Sequence, residues 1–481
     1  MKILILQLAR LGDIYMTWPF VRALRRHHPE AEIKMLVRHR FESATHGLEE
    51  LDEVLVLPNR NILEPLIQER FDLEASCCRL ERFLDEMENE NFDAIINLSF
   101  SPLSSYLVSY LTKPNTAVYG YNRHQDGYLN FADEVSAYFY AQVGPQRYNR
   151  SHVSDLFAAM MGFNLVESDW RAPQIHSTRT IEGKYLVLHV GASESHKRLQ
   201  HEELASLIKD LHLNLQDYRF VLIGAKNEIE VADYILQQLP SPRLVNLVGE
   251  TSVEELFPLI GNSEMLIGCD SAPIHIASLT NTMTYNLSLG DVNFWETGPK
   301  AGVAFIKRLT AAQESRDIGI VASEVQMILN GKVPPTLIFR SQGLESYCIP
   351  NEDPQDQFAW RLIQAMYLGG EYPLLDNLNV YQGMQQISEI NRILLNQYQA
   401  MTELNAAQSN VIVNQCDELL QNISRALPAL SPIVNWFLTE KVRIPPASFA
   451  EMKEQTIKIH NNLKVMLSHY IPQDEVANEQ V

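Results

Sequence analysis

The chain has 481 residues, 46% hydrophobic and 20% charged, enough for two or three domains that each bury a core. With 39 basic against 59 acidic residues the net charge is −20, which argues against non-specific nucleic-acid binding and against whole-protein attraction to an anionic membrane. Five cysteines, the vicinal pair Cys77-Cys78 among them, form neither a disulfide framework nor zinc-site spacing. With no signal peptide and no apolar run of membrane-spanning length, the expected location is a reducing cytoplasm.

Along the chain, Ile3 to Gln7, Ile33 to Val37, Val54 to Leu57, Ala94 to Leu98 and Ala117 to Tyr119 read as buried strands. Helical stretches such as Trp18 to His28 and Leu80 to Glu88 lie between them, which predicts a doubly wound α/β sheet. An amphipathic helix over Ser151 to Gly162 is followed by a polar stretch from Glu167 to Glu182, read as a linker. The alternation then restarts, with strands at Tyr185–Val190, Phe220–Ile223, Leu244–Val248, Met265–Ile267 and Met283–Leu287. Helices are read at Glu202–Leu211 and Glu228–Gln238. A final helix is expected to start at the capping box Ser323-Glu324-Val325-Gln326. Two such halves place a cleft between them, where small-molecule sites are common.

Beyond about residue 335 strand signals stop. Val380, Met384, Ile387, Ile390 or Asn391, Leu394, Tyr398, Met401 and Leu404 form a helical apolar stripe, which is followed towards Ile423. Pro428, Pro432, Pro445 and Pro446 divide the region further, a helix spans about Phe449 to Tyr470, and the last ten residues read as frayed. A helical accessory region packed on the core or on another subunit is favoured over a long coiled coil.

Candidate chemistry sits at strand ends. Asp13 follows the first strand and a glycine, where it either caps the next helix or presents a carboxylate at the sheet's ligand-binding edge. Asp270-Ser271-Ala272-Pro273-Ile274-His275 follows another strand, with proline where a first helical turn begins. Such a turn is either an ordinary junction or an anion site suited to a diphosphate. Gly191 to Arg198, with Ser193, Lys197 and Arg198, is either a solvated loop or a second phosphate-facing segment. Glu228 could accept ribose hydroxyls or simply favour a helix N-terminus. Arg22, Arg25, Arg26, His27 and His28 read as a solvated helix end. Neither GxGxxG nor a Walker motif is present.

The segments MKILILQLARLGDIYMTWPFVRAL, LVLHVGASESHKRL, VLIGAKNEIEVA, NLVGETSVEELFPLIGNSEMLIGCDSAPIHIAS and ETGPKAG resemble glycosyltransferase family 9, the ADP-heptose:lipopolysaccharide heptosyltransferases, across about residues 1–330. The resemblance implies a GT-B fold: a Rossmann-like acceptor domain over 1–170, a Rossmann-like nucleotide-sugar domain over 180–335 and a cleft between them. An all-α extension over 340–481 has no counterpart in compact members. It also implies metal-independent, inverting transfer with no cofactor, an ADP-sugar being the favoured co-substrate. By position Asp13 matches the general base. Ser193 falls in the loop of Lys197, which matches the phosphate-contacting lysine. Glu228 matches an acidic position near the nucleotide, and Asp270, Ser271, Ala272, Pro273 and His275 match the motif around the donor diphosphate. Ala272 stands where the family has glycine, and Leu199 replaces a tryptophan; both bear on which donor is used.

The function expected is transfer of a sugar, heptose by family precedent, from a nucleotide-diphosphate sugar to a hydroxyl of a bacterial surface glycan, glycolipid or protein. The alternatives are a nucleotide-sugar epimerase on the same fold and a non-catalytic scaffold that works through the helical region. The presence together of Asp13, Lys197 and Asp270 argues against the scaffold. The helical region is a candidate for homo-oligomerisation or acceptor contact. Peripheral contact with the inner face of the cytoplasmic membrane ranks last, because no Lys/Arg-rich polar face is present.

Overall fold

The computed structural model describes residues 1–471 apart from 132, 176–178, 193, 195–196, 301, 310–313, 342–343 and 349–351. They group into two compact units. Met1–Ser99, Leu111–Ala117 and Ser151–Asn351 make the first; Phe100–Tyr110, Val118–Arg150 and the chain from Glu352 onward make the second.

The first stretch carries β1 (Lys2–Leu6), α1 (Leu11–His27), β2 (Glu32–Arg38), β3 (Glu53–Leu57), α2 (Asn59–Ile67), α3 (Leu73–Asn89) and β4 (Ala94–Asn97). Next come α4 (Pro102–Leu111), β5 (Ala117–Arg123), β6 (Leu129–Phe131) and α5 (Glu134–Gln142), essentially all in the second unit. The first unit resumes with α6 (Val153–Met160), β7 (Tyr185–His189), α7 (His201–Asn214), β8 (Arg219–Ile223), α8 (Ile229–Gln238), β9 (Leu244–Asn246), α9 (Leu256–Gly261) and β10 (Met265–Cys269). It continues through α10 (Ala272–Leu279), β11 (Thr284–Leu289), α11 (Phe294–Thr297), β12 (Val303–Leu309), α12 (Glu314–Leu329), β13 (Ile338–Ser341) and β14 (Leu344–Cys348). The second unit closes with α13 (Pro354–Tyr367), α14 (Leu378–Ala400), α15 (Ala406–Ala426), α16 (Ser431–Val442) and α17 (Phe449–Leu467).

In the first unit, β3, β2, β1 and β4 are parallel neighbours in that order. A second sheet has the order β14-β13-β12-β11-β10-β7-β8-β9, parallel from β12 through β9. Strands covered on both faces must be apolar throughout, and Ile3 to Leu6 are all fully buried. Both sheets reverse their winding beside the first strand of each half, between β1 and β4 and between β7 and β10. Ligands bind at the carboxyl ends of strands flanking such a switch.

Three expectations need correction. α1 starts at Leu11, not at Trp18, so Gly12 and Asp13 lie within its first turn. Ser323 is inside α12 rather than at its start; its hydroxyl donates back to the Ile320 carbonyl at 2.7 Å. Strand does not stop at 335: β13 pairs antiparallel with both β12 and β14 at the sheet edge.

In the second unit α14 buries Val380, Met384, Ile387, Ile390, Asn391, Leu394 and Tyr398 as the stripe predicts. The stripe ends there, because α14 stops at Ala400 and Leu404 is 97% exposed in the turn before α15. Met384, Leu394, Leu420, Leu430, Phe437 and Leu463 share one core, so α14 to α17 form a bundle rather than an extended coil. Asn391 is tolerated in the stripe because its amide donates to the His460 carbonyl at 3.0 Å and its oxygen faces His460 Nδ1 at 2.6 Å. The ten residues read as frayed, 472–481, lie outside the described residues. No helix among the described residues is long and apolar enough to cross a membrane.

Candidate active site

Asp13 is the third residue of α1, and its Oδ2 accepts the Arg10 backbone N–H at 2.9 Å. It therefore satisfies one donor that a helix start leaves unpaired, in the manner of the distal half of a capping box. The same carboxylate lines a cavity of about 620 Å³ in the first unit. Capping and exposure to a ligand thus coexist in one side chain. Burial pushes the Asp13 carboxyl above its ordinary range, against the Arg10 N–H bond and the charges of Arg10 and Lys197.

The opposite wall comes from the ends of β7, β8 and β10. After β10, Ser271 is the N-cap of α10 and Pro273 its second residue. The Ser271 hydroxyl does not cap: it donates to the Cys269 carbonyl and lies against His189 Nδ1, both at 2.9 Å. Asp270 Oδ1 accepts from the Asn286 amide at 2.9 Å. Burial pushes its carboxyl up to about 6, opposed by hydrogen bonds from Asn286 and Ser288 and by the charges of Arg308 and Lys197. His275 is buried in α10, and that burial lowers it to about 4, so it is neutral at pH 7.

Glu228 sits just before α8 and accepts the Ala225 N–H at 2.7 Å. Its carboxylate fills space that glycines leave open. A Cβ on Gly191 would fall 1.6 Å from Glu228 Oε1, and one on Gly224 would fall 2.7 Å from Oε2. Burial raises the Glu228 carboxyl above its ordinary range. Lys197 and Arg10 share a single counter-ion: Glu194 is 2.6 Å from an Arg10 amine and 3.5 Å from Lys197 Nζ.

Asp13, Lys197, Glu228, Asp270, Ser271, Ala272, Pro273 and His275 all line this one cavity. Ser193 lies outside the described residues. The lining also includes His189, Arg40, Phe41, Asn227 and Ser252, which the sequence reading passed over. His189 carried one usable signal, since it ends an apolar strand just ahead of Gly191. The basic cluster of α1 is neither solvated nor in the cavity. Arg22 is 4% exposed and donates to the carbonyls of Asp169 and Arg171, while Arg25 donates to Glu50 and Asp52.

Residues 80–285 match the family model of Glycosyltransferase family 9 (heptosyltransferase). Lipopolysaccharide heptosyltransferase 3 of Escherichia coli is 23% identical over 297 residues, 59% of this chain and 82% of the relative. Lipopolysaccharide heptosyltransferase 1 of Campylobacter coli is 22% identical over 306 residues, 58% of this chain and 82% of the relative. The solved structure of E. coli ADP-heptose lipopolysaccharide heptosyltransferase II superposes with a TM-score of 0.50 at 18% identity, covering 69% of this chain and 99% of that one. E. coli heptosyltransferase WaaC with ADP-2-deoxy-2-fluoro heptose gives 0.50 at 15% identity with the same coverage. These two likenesses carry the fold, which is GT-B: two Rossmann-like sheets with flanking helices, here joined by a C-terminal helical region. Motifs, relatives and fold agree that this chain is a family 9 heptosyltransferase-like protein, a glycosyltransferase.

Proposed function

We propose that the chain transfers a sugar, with inversion and without a metal ion, from an ADP-sugar to a hydroxyl of a bacterial surface glycan, glycolipid or protein. The observation that carries this reading is that Asp13 lines the same cavity as Lys197 and the first turn of α10. In such a transfer the Asp13 carboxylate takes the proton of the acceptor hydroxyl as that oxygen attacks the anomeric carbon. The bond to the diphosphate oxygen breaks on the opposite face. The negative charge that gathers there is met by Lys197 and by the N–H groups at the start of α10. A lysine and a helix terminus supply the positive charge that a divalent ion supplies elsewhere, which is the ground for proposing metal independence. Glu228, cradled by Gly191 and Gly224, would accept the ribose hydroxyls.

The named relatives act on lipopolysaccharide, and the WaaC structure holds an ADP-heptose analogue, so ADP-heptose and a lipopolysaccharide acceptor are the first pair to test. The test is a donor screen by mass spectrometry across ADP-, UDP- and GDP-sugars with lipopolysaccharide acceptors, run with and without EDTA. Transfer from an ADP-sugar that survives EDTA and inverts the anomeric centre is expected. Loss of transfer in EDTA would overturn metal independence, and conversion of the donor without an acceptor would make the chain an epimerase.

A further inference from the structure

His189, the last residue of β7, stands between two other groups of the cavity wall. Its Nδ1 is 2.9 Å from the Ser271 hydroxyl and its Nε2 is 4.0 Å from Glu228 Oε2. A serine at an N-cap ordinarily turns its oxygen onto the N–H groups of the second or third helical residue. Ser271 holds the N-cap position of α10 without doing so, because its hydroxyl is engaged by His189 and by the Cys269 carbonyl. The second helical residue is Pro273, which has no N–H, so a capping hydroxyl would take the N–H of Ile274. Donors in this turn are few, and each one that Ser271 accepted would be lost to an anion.

We infer that His189 is a positioning residue: by holding the Ser271 hydroxyl back from the first turn of α10, it leaves the N–H groups of that turn to the donor's diphosphate. The inference rests on the proposed function, in which the α10 terminus receives that diphosphate. The hydroxyl has one proton, and when it goes to the Cys269 carbonyl the imidazole Nδ1–H donates to Oγ. Burial suits the ring to this task by lowering it to about 4, so it stays a neutral donor-acceptor at working pH. The ring is also fixed in place, since a Cβ on Gly268 of the neighbouring strand would lie only 3.0 Å from the His189 Cβ.

The test is calorimetric binding of ADP and AMP to the full chain and to four variants: His189→Phe, His189→Asn, Ser271→Ala and the double variant His189→Phe/Ser271→Ala. Freed by phenylalanine, the hydroxyl swings onto the helix, and ADP affinity falls about tenfold, the worth of one charge-assisted hydrogen bond. AMP, which lacks the β-phosphate, loses less. Asparagine offers an N–H near the position of Nδ1 and keeps most of the ADP affinity. The decisive result is the double variant: with no hydroxyl left to swing, ADP affinity returns towards that of Ser271→Ala. A double variant as weak as His189→Phe would reduce His189 to packing. A Ser271→Ala variant as weak as His189→Phe would make the hydroxyl itself the phosphate ligand. Either overturns the inference while leaving the functional reading intact. A wild-type chain that binds none of ADP, UDP or GDP overturns that reading, and the inference with it.

Discussion

Gly12 lies against the ring of His275: a Cβ built on it would be 3.0 Å from Cδ2 and 3.1 Å from Nε2. The first turn of α1 can approach α10 this closely only because residue 12 has no side chain. Asp13, next in the chain, is brought to the cavity wall by that approach. Alanine at position 12 would favour the helix by up to about 1 kcal/mol, while the buried His275 would have to yield to the new methyl. The two effects oppose each other, so Gly12→Ala should leave the melting midpoint within about 3 °C of wild type. Turnover is expected to fall about tenfold, since small displacements of reacting groups are costly. Full turnover in the variant would show that this contact does not set the spacing of the reacting groups.

Asp13→Asn removes the proposed base but keeps an oxygen that can accept the Arg10 N–H. It should lower kcat by about 10² to 10⁴-fold, with ADP affinity within threefold of wild type. A base works in its deprotonated form, so activity is lost as pH falls through its pKa. Because burial raises the Asp13 carboxyl, the acid limb of kcat/KM should lie above the ordinary aspartate value of 3.8. A limb at or below that value would remove Asp13 from the role, as would substantial turnover in the variant.

Most strands of the two parallel sheets were legible because burial on both faces forces continuous apolar runs, as in Ile3–Leu6 and Met265–Ile267. The edge pair β13 and β14 was not, because IFRS and LESYC mix polar and apolar residues too briefly to show a period. The start of α1 was hidden by Pro19, a residue that reads as an early helical position yet lies well inside the helix. The capping-box pattern at Ser323 misled because Glu324 is held by tertiary partners, accepting from Lys307 at 3.0 Å and Thr336 at 2.6 Å. Asp13, Lys197 and Asp270 were readable from their places after strands. His189 was not, since its bond to Ser271 spans 82 residues of sequence.

Glu194 holds Arg10 and Lys197 together across the mouth of the cavity, and these two cations, Arg10 first, keep its carboxyl below the usual range. A donor diphosphate would compete with that carboxylate for the same charges. Glu194→Gln should therefore tighten ADP binding about two- to fivefold at low salt, the scale of an exposed ion pair, with the gain fading as salt is raised. Lys197→Ala should weaken ADP about tenfold. If Glu194→Gln instead weakens ADP, the carboxylate is a support for Lys197 and not a competitor.

His460 supplies a pH dependence that belongs to the helical unit alone. Its ring is fully buried, with Nδ1 facing the Asn391 oxygen at 2.6 Å and Nε2 without a hydrogen-bond partner. Burial, helped by the charge of Lys441, lowers it to about 3 from an ordinary 6.5. The unfolded chain thus takes up a proton that the folded one refuses, so stability is complete above about pH 6.5 and falls as pH drops towards 3. His460→Asn, with no titratable ring, gives up packing at every pH but loses this dependence. Between pH 7.5 and 4.5 the wild type should therefore lose about 2 kcal/mol more stability than the variant in denaturant titrations. His189 and His275, lowered to about 4, act in the same direction, and Asp270, raised to about 6, acts in the opposite one. All three are present in both proteins and lie in the other unit, so they cancel in the difference. Equal losses in the two proteins would mean that His460 does take up its proton inside the bundle, with Nε2 reaching water or a carboxylate.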